Sequence, residues 1–162
     1  MATVNKNLST YDKDTIPNGA DFKIGIVVSE WNDNITFNLL KGAKQALIDN
    51  GVKEENIFVH FTPGSFELPL ASQWLLRKEE IDGVIAIGSV IQGETKHFDF
   101  VCSATADGIK EVGLKFNKPA IFCVLTDNTM QQAIDRSGGK YGNKGIEAAI
   151  ACLKMVHLKH SI

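Results

Sequence analysis

The side chains of this sequence that could do chemistry gather in short segments: Ser29 to Asp33 (SEWND), Thr62 to Glu67 (TPGSFE), Ser89 to His97 (SVIQGETKH) and Thr126 to Met130 (TDNTM). The third is the richest. Gly88 to Thr95 reads G-S-V-I-Q-G-E-T, one residue away from the phosphate loop G-x-x-x-x-G-K-[ST], with Glu94 in the place of the lysine. A carboxylate there repels the β and γ phosphates, which argues against a nucleoside triphosphatase. Backbone amides near Glu94 and Thr95, at an expected helix N-terminus, can still hold one phosphate if the Glu94 side chain points away. His97 shares this junction, and an imidazole with an ordinary pKa of about 6.5 suits proton transfer near neutrality. His60, His157 and His160 have no such company; the last two sit in the final turn of a helix, where positive charge complements the dipole.

The other candidates each carry a bland reading beside the functional one. Trp31 follows a strand and either packs into the core or offers a stacking platform for a planar heterocycle. Trp74 falls on a helical stripe with Phe66 and Leu70, and core packing is expected for it. In PGSFELP, Gly64 and Ser65 open a helix whose free N–H groups could read ligand carbonyls, and Pro69 is tolerable in the first turn. Arg136 and Lys144 flank the glycine-rich SGGKYGNKG, and Arg136 suits bidentate phosphate binding; solvation is the default for both. Neither lies at a strand exit. If they serve the phosphate held near Thr95, a neighbouring subunit delivers them.

The elements that must position these residues follow from hydrophobic period. FKIGIVVS, IFVHF, GVIAIG and AIFCVL are short β-rich runs alternating with segments of helical period, the last run being followed by two helices. That alternation gives an α/β fold with a parallel sheet. In the first helix Ile35, Leu39, Leu40, Ala43, Ala46 and Leu47 form one apolar stripe, and Gly51 stops it. The last helix repeats the pattern with Ile146, Ala149, Ile150, Leu153 and Val156. Open parallel sheets bind ligands beyond the carboxyl ends of their strands, and the segments named at the outset are those exits.

At 162 residues the chain suits one core, read as residues 22–162, preceded by a polar arm over residues 1–21 that ends in the Pro17, Asn18, Gly19 turn signal. No run approaches the roughly 20 apolar residues of a membrane span and no leader is evident, so a cytoplasmic protein is expected. A formal charge of −2 provides no general attraction to nucleic acid or anionic lipid. Cys102, Cys123 and Cys152 show no metal-binding spacing and read as buried, reduced thiols.

Taken together, Trp31-Asn32, PGSFE from Pro63, GSVIQGETKHFD from Gly88 and DRSGGKYGNKG from Asp135 resemble the lumazine synthase family in order and spacing, over Phe22 to about His157. The resemblance implies a flavodoxin-like three-layer sandwich, with a four-stranded parallel sheet between helices, assembled into pentamers with active sites between adjacent subunits. It places the aromatic platform for the pyrimidine on Trp31 beside Asn32. Substrate-reading backbone falls on Ser65, Phe66 and Glu67 and on Ser89, Val90 and Ile91. The phosphate site corresponds to Glu94 and Thr95 with Arg136 from the adjoining subunit, the proton donor to His97 and the facing aromatic to Phe122, with Lys144 and Glu147 in support. Trp31 stands where many members have phenylalanine, and Gln92 where many have arginine.

The implied reaction needs neither cofactor nor metal. The 5-amino group of 5-amino-6-(D-ribitylamino)uracil attacks the ketone of 3,4-dihydroxy-2-butanone 4-phosphate to form an imine; phosphate elimination and ring closure give 6,7-dimethyl-8-ribityllumazine. Riboflavin synthase, which would consume that product, is the implied partner enzyme. A shell of twelve pentamers is expected, with a pentamer or decamer as the alternative. The loop Gly138 to Gly142 looks short, as in shell-forming members, and Val4 to Leu8 could extend a neighbour's sheet or fray. A flavin carrier and an inactive shell protein are the rival readings, and neither needs His97 together with Arg136. A response regulator is a weaker rival still, because the third strand ends in Gly88 and Ser89 where a phosphorylatable aspartate would stand.

Overall fold

The computed structural model describes residues 7–162. Within them, β1 (Ile24–Ser29), β2 (Ile57–Thr62), β3 (Gly83–Ile91) and β4 (Ala120–Asp127) form one parallel sheet in the order β2-β1-β3-β4. Helices α1 (Asp33–Asp49), α2 (Leu68–Leu76), α3 (His97–Phe116), α4 (Met130–Arg136) and α5 (Lys144–Ser161) connect and follow them. This is the three-layer α/β sandwich expected.

Strand alternation splits the core in two. Ile24, Ile26 and Val28 of β1, with Ile85 and Ile87 of β3, pack under α1 and α5 against Ile35, Leu39, Leu47, Leu153 and Val156. Val27, Val84 and Ala86 point the other way, to Leu68, Leu76, Ile109 and Val112 of α2 and α3. The apolar stripe expected on α1 is buried except for half-buried Leu40, and Gly51 stops the helix at φ 95°, a left-handed conformation that favours glycine.

Other expectations need correction. Trp74 is not in the core: it is 59% exposed, in line with Phe66 at 60% and Leu70 at 50%. The inward face of α2 is instead Leu68, Ser72, Leu75 and Leu76, so this apolar helix has two apolar faces and only one meets the sheet. Strand β3 runs past GVIAIG to Ile91, because pairing with β4 continues through Ile91 and Asp127. Ser89, Val90 and Ile91 are therefore strand, and the exit begins at Gln92. The loop between α4 and α5 contains a small hairpin of β5 (Ser137–Gly139) and β6 (Gly142–Asn143).

Cys123 and Cys152 are fully buried, and burial pushes both thiols up to about 12, whereas Cys102 is only half-buried. Residues 7–21 lie back on their own domain: Leu8 N–H donates to Tyr141 O at 2.7 Å, Gly19 N–H to Asn50 O at 2.8 Å, and Tyr11 and Ile16 pack against the core. Of the proposed arm, Val4, Asn5 and Lys6 lie outside the described residues. No helix among the described residues is long and apolar enough to cross a membrane.

Candidate active site

The exits of β1, β2 and β3 meet in one cleft of about 380 Å³. At the β1 exit the chain must turn sharply into α1, and Asn32 takes a left-handed conformation (φ 59°, ψ 48°) to do so, one that asparagine tolerates better than most residues. Its side-chain Nδ2 donates to Ser89 O at 2.9 Å, tying the first exit to the third. Ser29 Oγ donates to Trp31 O at 3.3 Å, and Thr36 Oγ1 to Ser29 O at 2.7 Å. The backbone is thus held while the Trp31 indole stands free at 71% exposure. The packing alternative for Trp31 fails in the single chain.

At the β2 exit, Ser65–Glu67 make a single 3-10 turn that leads into α2, with Pro69 in its first turn. The turn is pinned from three sides. Thr62 Oγ1 donates to Gly64 O at 3.1 Å, and Thr105 Oγ1 of α3 donates to Ser65 O at 3.2 Å. Ser65 itself is buried against Gly88, where an added Cβ would lie 2.5 Å from Ser65 Oγ. Glycine at 88 is what lets the turn close on β3.

The β3 exit supplies Ser89, Val90, Ile91, Gly93 and Thr95 to the cleft wall, and His97 opens α3. Thr95 Oγ1 accepts from His97 N–H at 3.4 Å, and Glu94, Thr95 and His97 are all exposed. An imidazole and the N-terminal end of a twenty-residue helix, with the positive end of its dipole, therefore face the same opening as Trp31, a placement suited to an anion and a proton transfer together. Ser89 Oγ is buried with no hydrogen-bond partner among the described residues.

The cleft gathers Trp31, Asn32, Ser65, Phe66, Glu67, Ser89, Val90, Ile91, Thr95 and His97. Glu94, Phe122, Arg136 and Lys144 do not line it. Phe122 lies half-exposed on β4, the edge strand of the sheet. Arg136, the last residue of α4, was expected at no strand exit but is folded back to that of β4, where Nη1 lies 3.6 Å from Asp127 Oδ1. Lys144 is mostly buried and donates to Glu147 Oε1 at 2.8 Å. Gly64, read from the sequence as part of a helix start, also lines the cleft, as do Gly93, Phe98 and Val101, which were not singled out. Val101 stands four places after His97, and helical spacing alone would have put it beside that ring; Phe98, one place on, had no such signal. Among the described residues no three His, Cys, Asp or Glu side chains cluster to hold a metal.

The sequence comparisons agree with one another. The family model for 6,7-dimethyl-8-ribityllumazine synthase matches residues 21–160. The chain is 59% identical to a 6,7-dimethyl-8-ribityllumazine synthase of Flavobacterium johnsoniae over 98% of its own length and 84% of the relative's. It is 56% identical to one of Christiangramia forsetii, covering 98% and 95%, and 54% identical to one of Cytophaga hutchinsonii, covering 96% and 98%.

Proposed function

This chain belongs to the 6,7-dimethyl-8-ribityllumazine synthase family, and we propose that its cleft is one half of an active site that a neighbouring copy completes. The enzyme is a transferase of riboflavin biosynthesis. It condenses 5-amino-6-(D-ribitylamino)uracil with 3,4-dihydroxy-2-butanone 4-phosphate, releasing phosphate and water.

In this reading Trp31 stacks on the pyrimidine, while backbone groups of Ser65, Phe66 and Glu67 and of Ser89, Val90 and Ile91 read its polar edge. The amides at Glu94 and Thr95 receive the sugar phosphate, and Arg136 from the adjoining copy supplies the cation that the cleft itself lacks. Phe122 of that copy faces the ring, with Lys144 in support. His97 moves protons during imine formation and phosphate loss. The amine nucleophile arrives with the substrate, so the protein's work is orientation and proton transfer. The assembly is a pentamer or twelve pentamers in a shell, working in the cytoplasm beside riboflavin synthase.

The observation that carries this reading is the convergence of Trp31, Ser65, Ser89, Thr95 and His97 on one cleft, with Arg136 outside it. The reading requires the lumazine chromophore to appear in absorbance and fluorescence only when both substrates are present. If either substrate alone produces it, or if neither mixture does with intact protein, the assignment fails.

A further inference from the structure

We infer that Asp127 is a positioning residue for the sugar-phosphate half of the reaction, holding the Arg136 guanidinium at the exit of β4. The inference rests on the role proposed above for Arg136.

Asp127 closes β4 opposite Ile91, and its carbonyl accepts from Gln92 N–H at 2.9 Å, so its backbone is fastened to the strand that forms the cleft wall. Alternation turns its side chain to the face of Cys123 and Leu125, under α4. There it is 7% exposed. Oδ1 lies 3.6 Å from Arg136 Nη1, and Oδ2 is buried without a hydrogen-bond partner among the described residues. A carboxylate in that setting is costly to keep, and burial pushes it above the usual carboxylate range while Arg136 pulls it down. Fold stability does not explain it. Its effect on Arg136 does.

Among the described residues the polar contacts of the guanidinium all fall on Nη1. Nη1 donates to Gln132 O at 2.9 Å, the carbon of the group sits 5.3 Å from the centre of the Tyr141 ring, and the Asp127 charge draws the same edge inward. A guanidinium has five donors in a rigid fork, so fixing one edge leaves the other aimed outward for an anion. Tyr141 is itself placed by its N–H, which donates to Asp135 O at 2.8 Å. Without Asp127 the long arginine stem regains its rotamers, and the fork must be ordered when phosphate binds.

The test compares Asp127→Ala, Asp127→Asn, Arg136→Ala and the Asp127→Ala/Arg136→Ala double variant of the full chain, with inorganic phosphate as a competing probe. Asp127→Ala should raise KM for the sugar phosphate and the inhibition constant of phosphate roughly tenfold, within the usual range for coupled neighbours, with kcat within about twofold and pyrimidine KM unchanged. Asp127→Asn keeps an oxygen acceptor at nearly the same volume and should recover part of the loss, which also covers an alanine variant that fails to assemble. On the Arg136→Ala background, removing Asp127 should do nothing more. Equal weakening of both substrates would show a merely structural role, and a fall in KM would show that the carboxylate competes with phosphate; either overturns the inference. If Arg136→Ala weakens the sugar phosphate and the Asp127 effect adds to it in full, only the inference falls. If Arg136→Ala leaves that KM unchanged, the role of Arg136 falls with it.

Discussion

His97 heads α3 with its ring exposed and its backbone tied to Thr95, so it can reach a substrate without any rearrangement of the core. In the proposed reaction orientation by the cleft would carry much of the rate, which would make the imidazole an accelerator. His97→Ala should therefore lower kcat by at most the ~10²–10⁴-fold of general acid–base catalysis and leave measurable turnover and nearly unchanged KM values. Steady-state kinetics on an intact assembly check this; a dead variant or an unchanged one would refute the division of labour. Trp31 makes a separate claim. Its free indole should be quenched on binding lumazine or riboflavin, and Trp31→Phe should remove most of that quenching. Trp74 is exposed as well, so persistence of the signal in the variant would assign it to α2. His97 and Trp31 were legible because their types are scarce here and they sit at strand exits, and Thr95 because it ends the run that resembles a phosphate loop. Asp127 was not: an acidic residue at a strand end is unremarkable until burial and the Arg136 contact give it a role.

At the scale of elements, the site depends on three exits being held together by Asn32 to Ser89, Thr105 to Ser65 and the bare Gly88 surface. The last is the most exacting. A methyl at position 88 would sit 2.5 Å from Ser65 Oγ, 3.0 Å from Leu68 Cδ1 and 3.3 Å from Ser65 Cβ, forcing the 3-10 turn off the strand. Gly88→Ala should cost about 1–3 kcal/mol by denaturant unfolding and raise pyrimidine KM; stability and KM both at parent values would mean that the turn adapts freely. The four strands and the buried faces of α1 and α5 were readable from period alone, since one face of each helix is plainly apolar. Two features were not. The continuation of β3 to Ile91 is decided by pairing with a strand about thirty-five residues later in the chain, and which stripe of α2 turns inward is decided by what the sheet leaves room for.

The whole molecule leaves a broad apolar surface on the α2 and α3 layer, including Leu70, Trp74, Phe100 at 72% exposure and Leu114 at 77%. In the proposed assembly this is the face that neighbouring copies would cover. A shell of sixty 17.7 kDa chains would sediment as a particle of about a megadalton and a pentamer at less than about a tenth of that. We expect the large particle at neutral pH in phosphate buffer, and one small species persisting across concentration and pH would leave only the pentamer or decamer. The sequence pointed to association only indirectly, because Arg136, the side chain suited to phosphate, falls in none of its strand-exit segments; that the fold returns Arg136 to the β4 exit could not be read from it.

Association also carries the central claim, that Arg136 of one copy completes the cleft holding His97 of the next. His97→Ala and Arg136→Ala chains should therefore be co-expressed and the mixed assemblies assayed for lumazine formation. A site shared between neighbours draws its His97 and its Arg136 from different chains, so random mixing should leave roughly a quarter of the sites intact and raise activity well above the sum of the separate variants. Activity equal to the average of the two variants, in assemblies shown to contain both chains, would mean that each chain supplies both residues to its own site and would contradict the account.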